Sequence, residues 1–169
     1  MQGEIRQTKP FASPEQEGFL ALLRTTDLAR RRFAGVVEPH GITGQQYNVL
    51  RILMGSGPPG LPTLEIADRM IEQAPGITRL LDRLEAKGLV ERVRCPRDRR
   101  RVLVHITRQG MRLLSELRSA VEATHREALG GLGRSDLMEL IRLLDAVRAG
   151  QSRKHPSHSK ALKQRRTPA

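Results

Sequence analysis

Aromatic side chains are almost missing from this chain. Of its 169 residues, three are Phe, one is Tyr and none is Trp. The core must therefore come from Leu, Ile, Val and Ala. A sheet-rich interior normally draws on more aromatics, so the composition leans toward helix. Cysteine is equally scarce: Cys95 stands alone, which excludes an internal disulfide and agrees with a reducing cytoplasm. No stretch reaches the ~20 apolar residues of a membrane span, and the start of the chain, Met1 to Pro14, has no apolar core of signal-peptide length. The expectation is a cytoplasmic protein without a membrane partner. No phosphate loop, nucleophile elbow or paired-carboxylate arrangement is present, so neither catalytic residues nor a cofactor is expected. The histidines His40, His105, His125, His155 and His158 have no second acidic or thiol ligand beside any close pair, and no metal site is expected.

Cations, by contrast, are in excess. The formal net charge is +12. The stretch from Gly150 onward holds Arg153, Lys154, Lys160, Lys163, Arg165 and Arg166 and no acid, so the remaining 24 cations face all 18 acids, an excess of six. A basic surface therefore persists without the tail. Such a field attracts polyanions, nucleic acid or an anionic membrane, and charge alone does not separate the two.

The pattern along the chain is mainly helical. Residues 1–13 are polar and read as a flexible arm. Phe19, Leu22, Leu23, Leu28, Phe33 and Val37 recur at broadly helical spacing from Pro14, and Pro39 closes that segment. Thr43 is placed to cap a second helix carrying Tyr47, Val49, Leu50, Ile52 and Leu53, which runs into the Gly55–Gly60 loop. A short helix with Leu64, Ile66, Ala67 and Met70 facing inward comes next. A break near Gln73 precedes a helix from about Pro75 to Lys87 with the stripe Ile77, Leu80, Leu81 and Leu84. Gly88 ends it. Two strand-like runs, Val90–Cys95 and Val102–Ile106, flank a short polar link and make a hairpin. A long helix over 107–130 carries Met111, Leu114, Leu117 and Val121. Ser135 is placed to cap a last helix with Leu137, Leu140, Ile141, Leu144 and Val147. Beyond Gly150 the basic segment reads as a disordered tail.

The third helix leaves Thr78, Arg79, Asp82 and Arg83 off its apolar stripe. Two readings of that face stand: a solvated surface on which Arg79, Asp82, Arg83 and Glu85 exchange salt bridges, or a helix for the DNA major groove, where an arginine fork takes the two acceptors on a guanine edge. The hairpin tilts the balance. Arg97, Arg99, Arg100 and Arg101 crowd one turn with only Asp98 against them. Such a thin cationic tip suits the minor groove. Non-specific binding of nucleic acid, RNA included, or of protein by the same module is the alternative, but RNA readout usually relies on aromatic stacking, for which this chain has almost no side chains.

The run Ala74–Arg92, with Leu84-Glu85-Ala86-Lys87-Gly88-Leu89-Val90 at its centre, resembles the recognition helix and first wing strand of MarR-family regulators. Asp98-Arg99-Arg100 and Val104-His105-Ile106-Thr107 resemble the family's wing pattern, with Ile106 in place of the usual Leu. Ile42–Leu50 resembles the start of its second helix. The resemblance spans roughly residues 15–149. It departs at Pro62, where a polar cap is common, and at Gln73, where Ser is common. Because Ala74, Pro75 and Gly76 offer no side-chain hydrogen bonds, Thr78, Arg79 and Arg83 must supply most of the base reading.

The resemblance implies a winged helix-turn-helix domain over residues 40–106 and a helical dimerisation region over 14–39 and 107–149. It implies a homodimer that binds double-stranded DNA at a pseudo-palindromic operator and regulates transcription. The implied contacts are Thr78, Arg79, Arg83 and the wing residues Arg97, Asp98, Arg99, Arg100 and Arg101, with Asp98 holding Arg100 for the minor groove. Family members commonly release DNA on binding a small aromatic or phenolic anion, for which His40, Tyr47 and Arg51 are candidates here, with ordinary packing or surface roles as the rival reading. One branch senses peroxides through a cysteine in the first helix. No cysteine lies there, and Cys95 reads as a small packing residue of the wing.

Overall fold

The computed structural model describes residues 3, 6, 8–72, 76–95 and 98–154, with the side chains of Cys95, Asp98–Arg101 and 152–154 excepted. By contact the chain divides into two units, Met1–Thr124 and His125–Ala169.

In the first unit, helix α1 spans Pro14–Val37. Ser13 caps it by accepting from the Gln16 amide at 3.2 Å, Pro14 opens it, and Glu15 and Glu17 sit in the first turn. Its last turn is buried at Val37, and Phe33 meets the ring of Tyr47 edge-on at 5.2 Å. Phe19, Leu22, Leu23 and Leu28, earlier on the helix, are 38–60% exposed. A single 3-10 turn, Glu38–His40, closes on Gly41, whose φ of +73° favours glycine.

Helix α2, Gly44–Ser56, begins with the expected Thr43 cap. It is a full capping box: the Thr43 hydroxyl accepts from the Gln46 amide at 3.2 Å, and the Gln46 side chain accepts from the Thr43 amide at 3.0 Å. Val49, Leu50 and Leu53 on this helix are buried. Strand β1, Leu61–Pro62, was not expected from the sequence. Two residues carry no alternation, so only their tertiary pairing marks them as a strand. Helix α3, Thr63–Arg69, buries Ile66 but leaves Leu64 70% exposed. The inward assignment of Leu64 is therefore corrected: two residues before Ile66 is about 200° around a helix, the opposite face.

Helix α4 spans Ile77–Ala86, shorter than the expected Pro75–Lys87. Gly76 stands at its N-cap with φ +103°, outside the helical region, so the helix starts after it. Leu80, Leu81 and Leu84 are buried as their spacing required. Gly88, at φ +66°, turns the chain into β2, Val90–Cys95. Strand β3, Asp98–Ile106, starts four residues earlier than the expected Val102. It lies between the other two in an antiparallel sheet of order β1-β3-β2, with Val90 opposite Ile106 and Leu61 opposite Val104. Among the described residues, sixteen buried apolar side chains form the core, centred on α2, α4 and Val104 and reaching Leu114, Leu117 and Val121 further along the chain. Helix α5, Arg108–Leu129, leaves Met111 of its expected stripe 44% exposed.

In the second unit, α6 runs over Arg134–Lys154, so Ser135 lies inside the first turn and does not cap it: the Leu137 amide already donates to the Gly133 carbonyl at 3.0 Å. Helix α6 continues through Gly150, where a chain end of the helix was expected. A helical glycine costs about 1 kcal/mol, which one position in a long helix tolerates, and Gly150 does not adopt the positive φ that would terminate it. The remainder of the expected disordered tail, 155–169, lies outside the described residues.

Candidate nucleic-acid interface

The two helices α3 and α4 form a helix-turn-helix, and the β2–β3 hairpin follows at once. Because Leu80, Leu81 and Leu84 anchor α4 to the core, its other side must face outward. Thr78, Arg79, Asp82 and Arg83 are all exposed there. No ion pair among the described residues involves Arg79 or Arg83. The salt-bridged reading of this face is thus replaced: its two acids are taken by a residue from another element.

That residue is Arg92 on β2, which the helical spacing of α4 does not mark. Its Nη1 donates to Glu85 Oε2 at 2.6 Å and its Nη2 lies 2.7 Å from Asp82 Oδ1. Nη2 also donates to the Thr78 carbonyl at 3.3 Å, while the Arg92 backbone amide donates to Glu85 Oε1 at 3.1 Å. Burial pulls the guanidinium pKa down. Hydrogen bonds and charge from Asp82 and Glu85 outweigh it and hold the pKa above the ordinary arginine value. The signal in the sequence was the seven-residue step from Glu85 to Arg92 across the Gly88 reversal, which brings the end of a helix beside the next strand.

The base of the hairpin is pinned by Thr107. Its amide donates to the Leu89 carbonyl at 3.1 Å, its hydroxyl donates to the Gly88 carbonyl at 2.7 Å, and the same oxygen accepts from the Gly110 amide at 3.1 Å. It thereby caps α5 and ties β3 to the turn after α4. Lys87 Nζ donates to the Gly41 carbonyl, linking the end of α4 to the turn before α2. At the front of α4, the Asn48 side chain accepts from the Ile71 amide at 3.0 Å, and Glu72 pairs with Arg30 at 3.0 Å. Pro62 offers α3 no side-chain cap, as its chemistry requires.

At the hairpin tip, the backbone of Asp98, Arg99, Arg100 and Arg101 belongs to β3, with Cys95 opposite Asp98 and an irregularity between Arg94 and Cys95. Their side chains, the Asp98–Arg100 pairing expected of them, the packing role of Cys95, and all of Arg97 and Gln73–Pro75 lie outside the described residues. Of the effector candidates, Tyr47 is half-buried against Phe33, and His40 and Arg51 are exposed. No hydrogen bond or ion pair joins these three among the described residues. No helix there is long and apolar enough to cross a membrane.

An outward helix bearing two arginines without an ion-pair partner among the described residues, held by a second helix and flanked by a hairpin, defines a winged helix-turn-helix DNA-binding domain. Comparison with known proteins agrees. The MarR family model matches residues 40–101. A MarR transcription factor from Planctomyces limnophilus is 43% identical with a TM-score of 0.62, the match covering 81% of this chain and 99% of that one. A mutant MarR from Escherichia coli solved in complex with operator DNA is 27% identical with a TM-score of 0.69, over 75% and 90% of the two chains. Bordetella bronchiseptica BpsR, whose DNA binding is regulated by 6-hydroxynicotinic acid, is 27% identical with a TM-score of 0.71, over 83% and 98%. The homoprotocatechuate degradative operon repressor of Escherichia coli is 29% identical over 135 residues, 79% of this chain and 90% of that protein. The chain belongs to the MarR family of winged-helix transcription regulators.

Proposed function

We propose that this protein is a homodimeric repressor that reads a pseudo-palindromic operator and releases it on binding a small aromatic or phenolic anion, performing no chemistry of its own. The observation that carries the reading is α4, which buries its leucines and presents Thr78, Arg79 and Arg83 outward beside a hairpin whose sequence is dense in arginine. In this reading Arg79 and Arg83 take base edges in the major groove, and Arg97, Arg99, Arg100 and Arg101 take the minor groove, with Asp98 orienting Arg100. The related operator complex and the related operon repressor support the reading of a DNA-binding repressor.

Residues 40–106 would then be the reading head, and 14–39 and 107–149 the dimer region. Two apolar faces support that division. On one side of α1, Phe19, Leu22 and Leu23 stand 38–60% exposed; on one side of α6, Met138 and Ile141 stand 45–60% exposed. Side chains of that size left to water argue for a covering partner, and a second copy of the chain is the partner the family resemblance supplies. The effector assignment to His40, Tyr47 and Arg51 rests on that resemblance and on the regulation of BpsR by an aromatic acid. The test is selection of duplexes from a random library by the full chain, with light scattering on the same sample. Enrichment of a palindrome with half-sites about one helical turn apart, and twice the 18.9 kDa chain mass, are expected. A monomer, or no sequence enriched, contradicts the proposal.

A further inference from the structure

We infer that Arg92 is a specificity-determining positioning residue: it sequesters Asp82 and Glu85 so that Arg79 stays free to read a base. The inference rests on the DNA-reading role proposed for α4. Its ground is the electrostatics of that helix. Between Thr78 and Ala86 the helix carries two cations, Arg79 and Arg83, and two acids, Asp82 and Glu85. Asp82 stands three residues after Arg79, the spacing at which side chains on one helix face meet. Left alone, this carboxylate is the nearest helical partner for the Arg79 guanidinium. It would hold that guanidinium against its own helix and set a negative charge where phosphate and base acceptors must approach.

The structure shows a different pairing. Arg92 reaches across from β2 and takes both acids, Glu85 at 2.6 Å and Asp82 at 2.7 Å, while also bonding the Thr78 carbonyl at 3.3 Å. The Arg92 side chain is 24% exposed, against 54% for Asp82 and 39% for Glu85. The least exposed partner is thus the one least able to leave, and a planar guanidinium that engages several acceptors at once is the group suited to it. The clamp joins α4 to the first wing strand at three α4 residues. It both fixes the helix on the wing and cancels the acids on the reading face.

Fixing and cancelling are separable, because neutralising Asp82 makes good a lost cancellation but not a lost tether. The experiment compares wild type, Arg92→Gln, Arg92→Lys, Asp82→Asn and Arg92→Gln/Asp82→Asn. Affinity is measured for a duplex enriched by the wild-type chain and for a random duplex, and thermal melting establishes that each variant is folded. Arg92→Gln is expected to lower the selected-to-random affinity ratio by about tenfold, the scale of one good arginine–guanine contact. Adding Asp82→Asn is expected to return most of that ratio, and Arg92→Lys to keep part of it. An unchanged ratio in Arg92→Gln, or a loss that Asp82→Asn does not restore in a folded protein, overturns the inference.

A second arm needs no DNA. Side-chain NMR of the Arg79 guanidinium is expected to show free rotation in the wild type, restraint in Arg92→Gln, and free rotation again in the double variant. Restraint in the wild type, or none in Arg92→Gln, overturns the inference. If the wild type enriches no sequence, the proposed reading role fails, and this arm still decides whether Arg92 governs the state of Arg79.

Discussion

Replacing Gly110 with Ala should destabilise the protein, although the same change in a helix is normally favourable. Gly110 lies in the first turn of α5 and is buried. Its helical backbone would gain roughly 0.5–1 kcal/mol from alanine, through propensity and a stiffer unfolded chain. Against this, a Cβ built there stands 2.4 Å from the Leu89 carbonyl oxygen and 2.8 Å from Ile106 Cγ1. The first obstacle is backbone at the α4–β2 junction and cannot swing aside as a side-chain tip can. Relieving it requires α5 to back away from the base of the wing, with a strain typical of overpacking, about 1–3 kcal/mol or more. The steric cost exceeds the propensity gain, and a net loss of about 1–2 kcal/mol is expected. Gly55→Ala is the control: it lies in α2 with nothing within 4 Å of a built Cβ, and should be neutral or slightly stabilising. Urea unfolding followed by circular dichroism reads both variants. If Gly110→Ala equals or exceeds the wild type in stability, the close seating of α5 against the wing base is wrong.

Other perturbations address other parts of the account. Thr107→Val removes the α5 cap and the hydroxyl bond to Gly88; a loss of about 1–2 kcal/mol is expected in the same unfolding assay. Leu140→Asp with Leu144→Asp should convert the proposed dimer to monomer in light scattering, because carboxylates would enter its proposed apolar seam. Deleting residues 150–169 removes six cations and no acid. It should flatten the salt dependence of DNA affinity by about one to three units of slope per chain, equally on selected and random duplexes, since such a segment meets phosphates rather than bases.

The elements whose period is long and unbroken were legible from the residues alone. Leu80, Leu81 and Leu84 recur on one face of α4, and burying them forces Thr78, Arg79 and Arg83 outward whatever the tertiary detail. The Thr43 cap was legible because its chemistry is local. What failed depended on partners distant in the chain. Strand β1 exists only because Leu61 and Pro62 pair with Val104 and Leu103. Leu64 was read inward because a seven-residue helix shows too little of its period to separate faces. The Arg92 clamp was missed because helical spacing offered Asp82 and Glu85 nearer cations, and only the reversal at Gly88 brings β2 close enough to outbid them. Gly76 hid the start of α4: its left-handed backbone leaves no trace in a hydropathy pattern.

The central claim is that α4 reads sequence. The direct measurement is the affinity of wild type and Arg79→Ala for a duplex enriched by the wild type and for a random duplex, each titrated with salt. The account expects Arg79→Ala to cost about 1–3 kcal/mol on the selected duplex and much less on the random one. Equal losses on both duplexes, or a selected-to-random ratio left intact, would contradict it.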